Sequence, residues 1–492
     1  MASSRKPTNE FCGSYTTTRR ILITGGSGYL GFSLATAASK QSIEAVLLDI
    51  TPPAQALPPG VHFVSGSVAD AAAVDAAFAS LRDGPLDAVF HVASYGMSGR
   101  ELRDRAKITS VNVGGTHNVI SACLRYGVPR LVYVSTCNVI FVGRPISGGD
   151  ETAPYPPPNA YKDAYSFTKA QAERLVLEAN GRLFECNPQF NCMEARAMER
   201  QQVRAAESGT LGHSDTVGNA DVALHGHDEL TNGTPKQVQQ RADGDSRRLF
   251  TCSIRSTGIW GPGEARHQPR VIRMVRAGLF QATFGDPSSL SDWIHVDNLV
   301  QILILAERAL RFPVRGCPNE PPLPGAPLGD GNGGGPSEPG PIAAGQVYYA
   351  SDGDPINNFL HFKPFIVGLG YSYPALNVPF ALVYGIAWLI EYAWPLLSHL
   401  MADPPLTRME VDKCCIEHWF DITKARRELG YKPAAFDRGE VVRHMAAAGW
   451  AAGGHKQQQQ MFGLNAMVLL AAAVMFIVAV VLAAVYGADG YR

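Results

Sequence analysis

The chain has no C-x-x-C pair, no excess of either charge and no apolar run near its beginning. Its nine cysteines stand singly apart from Cys414-Cys415, so neither a zinc site nor a disulfide framework is indicated. Reduced thiols in a cytosol-facing body are expected. With 43 basic against 44 acidic residues, a net charge of −1, the chain lacks the basic field that phosphate backbones demand, and nucleic acid is not an expected partner. The residues from Met1 to Pro7 lead into no apolar core of signal-peptide length, so no secretory signal is indicated. What the 492 residues do contain is 46% apolar side chains, ample for one large α/β body with additions.

One stretch organises the rest: Ile21-Leu22-Ile23-Thr24-Gly25-Gly26-Ser27-Gly28-Tyr29-Leu30-Gly31. A short apolar run, a glycine cluster and a helical continuation spell a buried strand, a tight turn and the start of a helix. Such a junction aims backbone N–H groups and the positive end of a helix dipole at an anion, usually a pyrophosphate. Gly26, Gly28 and Gly31 make one glycine spacing and Gly25, Gly28 and Gly31 another. The following strand, Ala45 to Asp49, ends in a carboxylate about 20 positions on, where it would meet an adenosine ribose. No Arg or Lys closely follows Asp49, so the expected cofactor is NAD rather than NADP.

Further along, Val61–Gly66, Asp87–Ala93 and Arg130–Ser135 read as strands. Ala71–Leu81, a long segment Ile108–Tyr126 and Ala164–Ala179 read as helices. Nearly all-apolar strands alternating with helices mean a parallel sheet covered on both faces. With the phosphate loop at the first crossover, the fold class is α/β, a doubly wound parallel Rossmann sheet. Leu249–Arg255 and Gln346–Ser351 extend the sheet, and Asp421 is placed to cap a helix ending at Gly430.

The expected organisation is a tail over 1–19, an NAD-binding domain over 20–179 and an aperiodic polar insertion over 180–248. Residues 249–455 then supply the remaining strands and a smaller substrate-binding region, interrupted by a Pro/Gly-rich loop at 313–345. Residues 375–402 are apolar and rich in aromatics but carry Glu391 and Pro395. A charge near the middle disfavours a span, so a helical segment lying against a membrane is expected. Gly463–Gly487 is different: 25 residues without one charge exceed the ~20 that cross a bilayer. A single-pass C-terminal anchor with a cytosolic body is expected there.

The chemistry centres on Tyr165-Ser166-Phe167-Thr168-Lys169. Tyr and Lys four apart on a helix lie one turn from each other on the same face. An ammonium beside a phenol favours the phenolate and suits it to proton transfer. The pair lies downstream of the phosphate loop and follows, by about 30 residues, a strand ending in the hydroxyls Ser135-Thr136, an order that chance pairing on a solvated helix face does not explain.

These motifs resemble the extended short-chain dehydrogenase/reductases. Ile254–Glu264 is similar to that superfamily's R-P-x-x-x-Y-G-P stretch, with Ser256 and Trp260 departing from its Pro and Tyr, and Ile294–Asn298 matches its V-x-D motif. Ser67 stands where many members carry an adenine-contacting Asp. Val89–Glu101, Ser135–Phe141 and the C-terminal apolar run resemble the 3β-hydroxysteroid dehydrogenase/isomerase branch, the 42E family within it. The resemblance covers most of 20–178, 249–312 and 346–487.

The resemblance implies Tyr165 as general acid/base, Lys169 as its electrostatic partner and ribose ligand, Thr136 with adjacent Ser135 on the substrate oxygen, and Asn112 in support. Thr136 is preferred because it precedes Val139 by three, as the family's hydroxyl precedes its Val. The implied cofactor-binding set is Gly25, Gly26, Ser27, Gly28, Tyr29, Leu30, Gly31, Asp49 and Ala93, with Tyr165 and Lys169. The implied substrate is a small lipophilic alcohol or ketone, a 3β-hydroxysteroid or sterol. The implied location is the endoplasmic reticulum membrane, and a homodimer is left open. A nucleotide-sugar epimerase or dehydratase on the same fold, and a silent NAD-binding scaffold, are the alternative readings.

Overall fold

The computed structural model describes residues 19–80, 86–97, 99–185, 247–311, 340–397 and 406–453. Most of the 180–248 insertion, most of the 313–345 loop, nearly all of the 1–19 tail and the whole 463–487 anchor lie outside the described residues.

Seven strands run parallel: β1 Arg20–Thr24, β2 Glu44–Asp49, β3 Val61–Ser65, β4 Ala88–His91, β5 Arg130–Thr136, β6 Arg248–Ser256 and β7 Val347–Ala350. Their spatial order is β7-β6-β5-β4-β1-β2-β3, and Arg182–Leu183 adds a short antiparallel pair to β6. The order reverses beside β1, whose neighbours are β4 and β2. That is the switch point of a doubly wound sheet, where ligands bind beyond the strands' carboxyl ends.

Helices cover both faces. In chain order they include α1 Tyr29–Lys40, α2 Ala71–Ala79, α3 Arg105–Thr109, α4 Gly115–Tyr126 and α5 Ala164–Glu178. They continue with α6 His267–Arg276, α7 Val296–Ala309, α8 Asn358–Gly368, α9 Phe380–Leu397, α10 Arg408–Cys415, α11 Thr423–Leu429 and α12 Arg438–Ala447. Alternation along each strand divides the core in two. Ile21 and Ile23 pack with Leu34 of α1 and Leu299 and Leu303 of α7. Leu22 turns the other way, onto Val74 of α2, Val119 of α4 and Val176 of α5.

The segment Ile108–Tyr126 is not one continuous helix. A π turn at Ser110–Gly114 separates α3 from α4, and Asn112 sits inside it. Such single wide turns often re-aim side chains at functional sites. At the other end of the body, α11 terminates at Gly430 with φ +69°, and Asp421 accepts the Thr423 N–H at 2.8 Å.

The smaller region carries its own apolar cluster, in which Trp260, Ile272, Trp293, Phe362 and Phe365 meet. Residues 376–378 form a strand against 282–284 rather than the start of a long helix. α9 follows, burying Ala387, Ile390 and Ala393 while exposing Leu382, Trp388 and Tyr392. Glu391 is paired with Arg408 of α10 at 2.6 Å, so the charge inside this apolar helix is met by protein. Among the described residues no helix is long and apolar enough to cross a membrane.

Candidate active site

The glycine turn is held tightly on its inner side and open on its outer side. Gly25 has φ +67°, a left-handed conformation that suits glycine. A Cβ there would lie 2.8 Å from Ala93, one on Gly26 would lie 2.6 Å from Leu47, and one on Gly31 would lie 2.3 Å from the Gly25 carbonyl. The turn is therefore pressed onto β2, onto the chain leaving β4 and onto the first turn of α1, where Leu30 is buried in the core. Gly28 is exposed, and a Cβ there would meet only the Gly25 carbonyl, at 3.3 Å.

α1 has no side-chain cap and no acidic residue in its first turn, so its leading N–H groups are left for an outside acceptor. Ser27 Oγ and Tyr29 OH are buried with no partner among the described residues. Asp49 Oδ2 accepts the Ser27 N–H at 3.0 Å and Oδ1 accepts the Ile50 N–H at 2.7 Å, which fixes the carboxylate at the end of β2. A pressed glycine turn, an uncapped helix start, two orphaned hydroxyls and an oriented carboxylate fit a dinucleotide. The Asp carboxylate would take ribose hydroxyls and the turn would take the pyrophosphate.

Behind the turn runs a hydrogen-bond chain that the sequence motifs do not reveal. The Ala93 N–H donates to Thr24 Oγ1 at 3.3 Å, which lies 2.7 Å from His91 Nδ1. His91 Nε2 lies 2.9 Å from Thr116 Oγ1, which donates to the Asn112 carbonyl at 2.6 Å. Because that last bond uses the Thr116 proton, Thr116 accepts from His91 Nε2–H and Nδ1 accepts from Thr24. Burial, with Lys169 adding repulsion, pushes His91 down to about 3. The neutral ring thus ties β1, β4 and the π turn together.

Tyr165 and Lys169 lie one turn apart on α5, both buried. The cap Asp163 starts the helix by accepting the Ser166 N–H at 2.6 Å. Burial pushes the Tyr165 phenol up to about 12, against the charge of Arg266 and a hydrogen bond from Ser94. α5 packs along β5 and along the short turn 137–139 that follows it, which places Tyr165 at the mouth of β5. Lys169 Nζ donates to the Val134 carbonyl at 2.6 Å and lies 4.2 Å from the Tyr133 ring centre. Burial pushes Lys169 down to about 7, with Glu173 pulling it back up.

Of the two hydroxyls that end β5, the Ser135 Oγ is buried with no hydrogen-bond partner among the described residues, though it helps to hold the Glu173 carboxyl down. Thr136 Oγ1 accepts the Asn138 N–H at a long 3.3 Å. Asn112 has its amide fully engaged: it accepts the Tyr95 N–H at 2.8 Å and donates to the Tyr95 carbonyl at 2.9 Å and to Thr168 at 3.0 Å. Its role here is to hold the Ser94-Tyr95 segment against α5. The structure therefore gathers Tyr165, Lys169, Ser135 and Thr136 at the end of β5, with Asn112 one layer behind.

A buried ion pair backs the site. Arg255 on β6 meets Glu173 at 2.7 Å, and Ser253 and Tyr155 also donate to that carboxylate. Glu173 is four residues beyond Lys169, so Tyr165, Lys169 and Glu173 form one line along α5. Burial works against the Glu173 charge, but Arg255 and the hydroxyls hold its carboxyl below the usual range. The Arg of the 254–264 motif was visible in the sequence; its partner, 82 residues earlier, was not.

This fold and this constellation define a Rossmann-type short-chain oxidoreductase. The 3-beta hydroxysteroid dehydrogenase/isomerase family matches residues 22–198 and 236–379, and the chain belongs to that family. It is 40% identical over 430 residues to short-chain dehydrogenase/reductase family 42E member 1 of Macaca fascicularis, covering 87% of this chain and 88% of that protein. It is 28% identical over 418 residues to a 3-beta-hydroxysteroid dehydrogenase of Mycolicibacterium neoaurum, covering 84% and 87%. Among solved structures, the UDP-glucose 4-epimerase of Thermus thermophilus, in complex with NAD, superposes with a TM-score of 0.51 at 17% identity, covering 87% of this chain and 99% of that one. At that identity the likeness shows the shared fold.

Proposed function

We propose that the protein is a membrane-bound, NAD-dependent dehydrogenase that oxidises the 3β-hydroxyl of a steroid or sterol, or reduces the matching ketone. The observation that carries this reading is the Tyr165–Lys169 pair, buried at the mouth of β5 beside a cradle shaped for a dinucleotide. The kinship to 3β-hydroxysteroid enzymes supports the substrate class.

NAD, when bound, supplies the hydride acceptor. This chain's residues do the rest. Thr136 and Tyr165 hydrogen-bond the substrate oxygen, and Tyr165 takes the hydroxyl proton as the carbon–hydrogen bond breaks. Lys169 stabilises the phenolate; its ammonium leans on the Val134 carbonyl and keeps further N–H donors for a ribose hydroxyl. Asp49 and the glycine turn select and orient the cofactor, so that the reacting atoms meet without a further loss of freedom.

Membrane binding is the second half of the proposal. The 463–487 run anchors the chain, and α9 lays Leu382, Trp388 and Tyr392 against the bilayer surface so that a lipophilic substrate enters from the membrane. The exposure of those three side chains supports it; the endoplasmic reticulum is the membrane we assign.

The test is NADH formation by the full chain in detergent across a panel of 3β-hydroxysteroids and sterols, with Tyr165→Phe in parallel. Turnover that disappears in the variant is expected. Turnover of nucleotide sugars alone would sink the reading.

A further inference from the structure

The smaller region buries a set of polar atoms that no described residue satisfies. Gln268 has neither its amide oxygen nor its amide nitrogen hydrogen-bonded, His361 has neither ring nitrogen bonded, and Trp293 Nε1 is also without a partner. These groups lie well inside the protein: Gln268 is 1% exposed and His361 0%. Five orphaned atoms in one place are rare, because each buried polar group without a partner is costly.

Two of the three side chains share one place, and the third borders it. His361 stacks on Trp293 with ring centres 3.9 Å apart and 3° between planes, and stands edge-on to Trp260 at 5.8 Å. Gln268 is one helical turn before Ile272 on α6, and Ile272 packs in the cluster of Trp260, Trp293, Phe362 and Phe365. The walls are aromatic and the orphans are neutral: burial, with Arg438 and His267 nearby, holds His361 uncharged. A neutral amide, an indole N–H and a neutral imidazole offer both donors and acceptors and no charge. That set suits an oxygen on an apolar ring, a ketone or a hydroxyl, and not a carboxylate or phosphate.

The cluster adjoins the cofactor cradle. Gly261 lies against Tyr29 OH of the phosphate loop and His295 Nε2, and Trp260, its neighbour, flanks His361. Glu264 gathers the N–H groups of Arg266, His267 and Gln268. Arg266, the first of these, bears on the Tyr165 phenol; His267 stands edge-on to Trp293, and Gln268, next in the chain, borders the cluster. We infer that Gln268, His361 and Trp293 form the recognition site for a neutral oxygen at the end of the substrate remote from the carbon oxidised at Tyr165, which for a 3β-hydroxysteroid is a ring-D ketone or hydroxyl. The inference rests on the steroid reading above.

Two measurements on the full chain in detergent test it. The first compares kcat/KM for a 3β-hydroxysteroid bearing a ring-D ketone with that for the same steroid carrying CH2 at that carbon. Gln268→Leu, close in shape to the original, should lower the first by about tenfold or more and leave the second unchanged, and Trp293→Phe, which keeps an aromatic ring against His361 but removes the N–H, should lower the first by more than the second. Equal losses on both steroids, or no loss on either, overturn the inference. The second measurement needs no turnover: thermal protection by a ring-D ketosteroid that lacks any 3-oxygen. Protection of the wild type that is lost in Gln268→Leu supports the site even if 3β-oxidation is not the reaction. Absent protection, or protection undiminished in the variant, overturns it while leaving the dehydrogenase reading to its own assay.

Discussion

Lys169 spends its ammonium on the main-chain carbonyl of Val134, 2.6 Å away, one residue before the hydroxyls that end β5. The contact ties the catalytic helix to the strand mouth and leaves a buried cation with one strong acceptor. Glu173, a turn further on, is the charge that opposes its loss of proton.

The pH dependence of stability follows from that placement. Burial lowers Lys169 to about 7 from an ordinary 10.5, so between those values the unfolded chain binds more protons than the folded one. Stability therefore rises with pH across that window, and below it the buried charge is a constant penalty. Lys169→Met should stabilise the ligand-free protein at pH 7, on the order of a few kcal/mol, and flatten the rise. Urea midpoints of both proteins at about pH 7 and about pH 10 measure it; a wild type no steeper than the variant would refute it.

Cofactor affinity is predicted to depend on two local features of the turn. Asp49→Asn keeps the acceptor for the Ser27 N–H but removes the charge that suits ribose hydroxyls. NAD binding should weaken by about ten- to a hundredfold, the range of a hydrogen bond to a charged group. Gly31→Ala should do more, since its Cβ would sit 2.3 Å from the Gly25 carbonyl and would push the turn off α1. Overpacking of that kind costs about 1–3 kcal/mol of stability as well as the cofactor site. Titration calorimetry and thermal melts read the two effects separately.

The glycine turn, Asp49 and the Tyr165–Lys169 pair were legible because each is a local pattern: contiguous residues, or residues one turn apart. Long-range partners carry no such period. His91 reads in the sequence as one more strand residue, yet it joins Thr24 and Thr116 across 92 positions of chain. Glu173 reads as a helix-surface acid and is fully buried in the core. The π turn at Ser110–Gly114 was invisible because one widened turn leaves the apolar spacing on either side intact. The helix within 375–402 was legible in its long apolar run; the strand at 376–378 was not, because three residues carry too little pattern.

The hydroxyls of β5 should separate on mutation. Thr136→Val, which keeps the shape and removes the oxygen, should lower kcat by about a hundredfold or more with NAD affinity unchanged. Ser135→Ala should leave kcat far less changed and act on stability instead, since its hydroxyl is buried and bears on the Glu173 charge. If the two variants exchange these phenotypes, Ser135 is the substrate-binding hydroxyl and the β5 assignment must move by one residue.

The Glu173–Arg255 pair is the firmest test of how the site is supported. Glu173→Ala strips the buried Arg255 guanidinium of its counter-charge and leaves it the neutral Tyr349 hydroxyl, at 3.0 Å. Breaking one side of a buried pair costs about 3–5 kcal/mol, enough to unfold a marginal domain. Replacing both, Glu173→Met with Arg255→Met, removes the desolvation penalty along with the attraction and should recover most of that loss. Catalysis should not recover with it. Without Glu173 the Lys169 proton is held less firmly, so the alkaline side of the pH–rate profile, where that proton is lost, should move to lower pH in any double mutant that folds. A folded double mutant with a wild-type profile would mean that Glu173 serves packing alone; a shifted one makes it the residue that keeps Lys169 charged for its work at Tyr165.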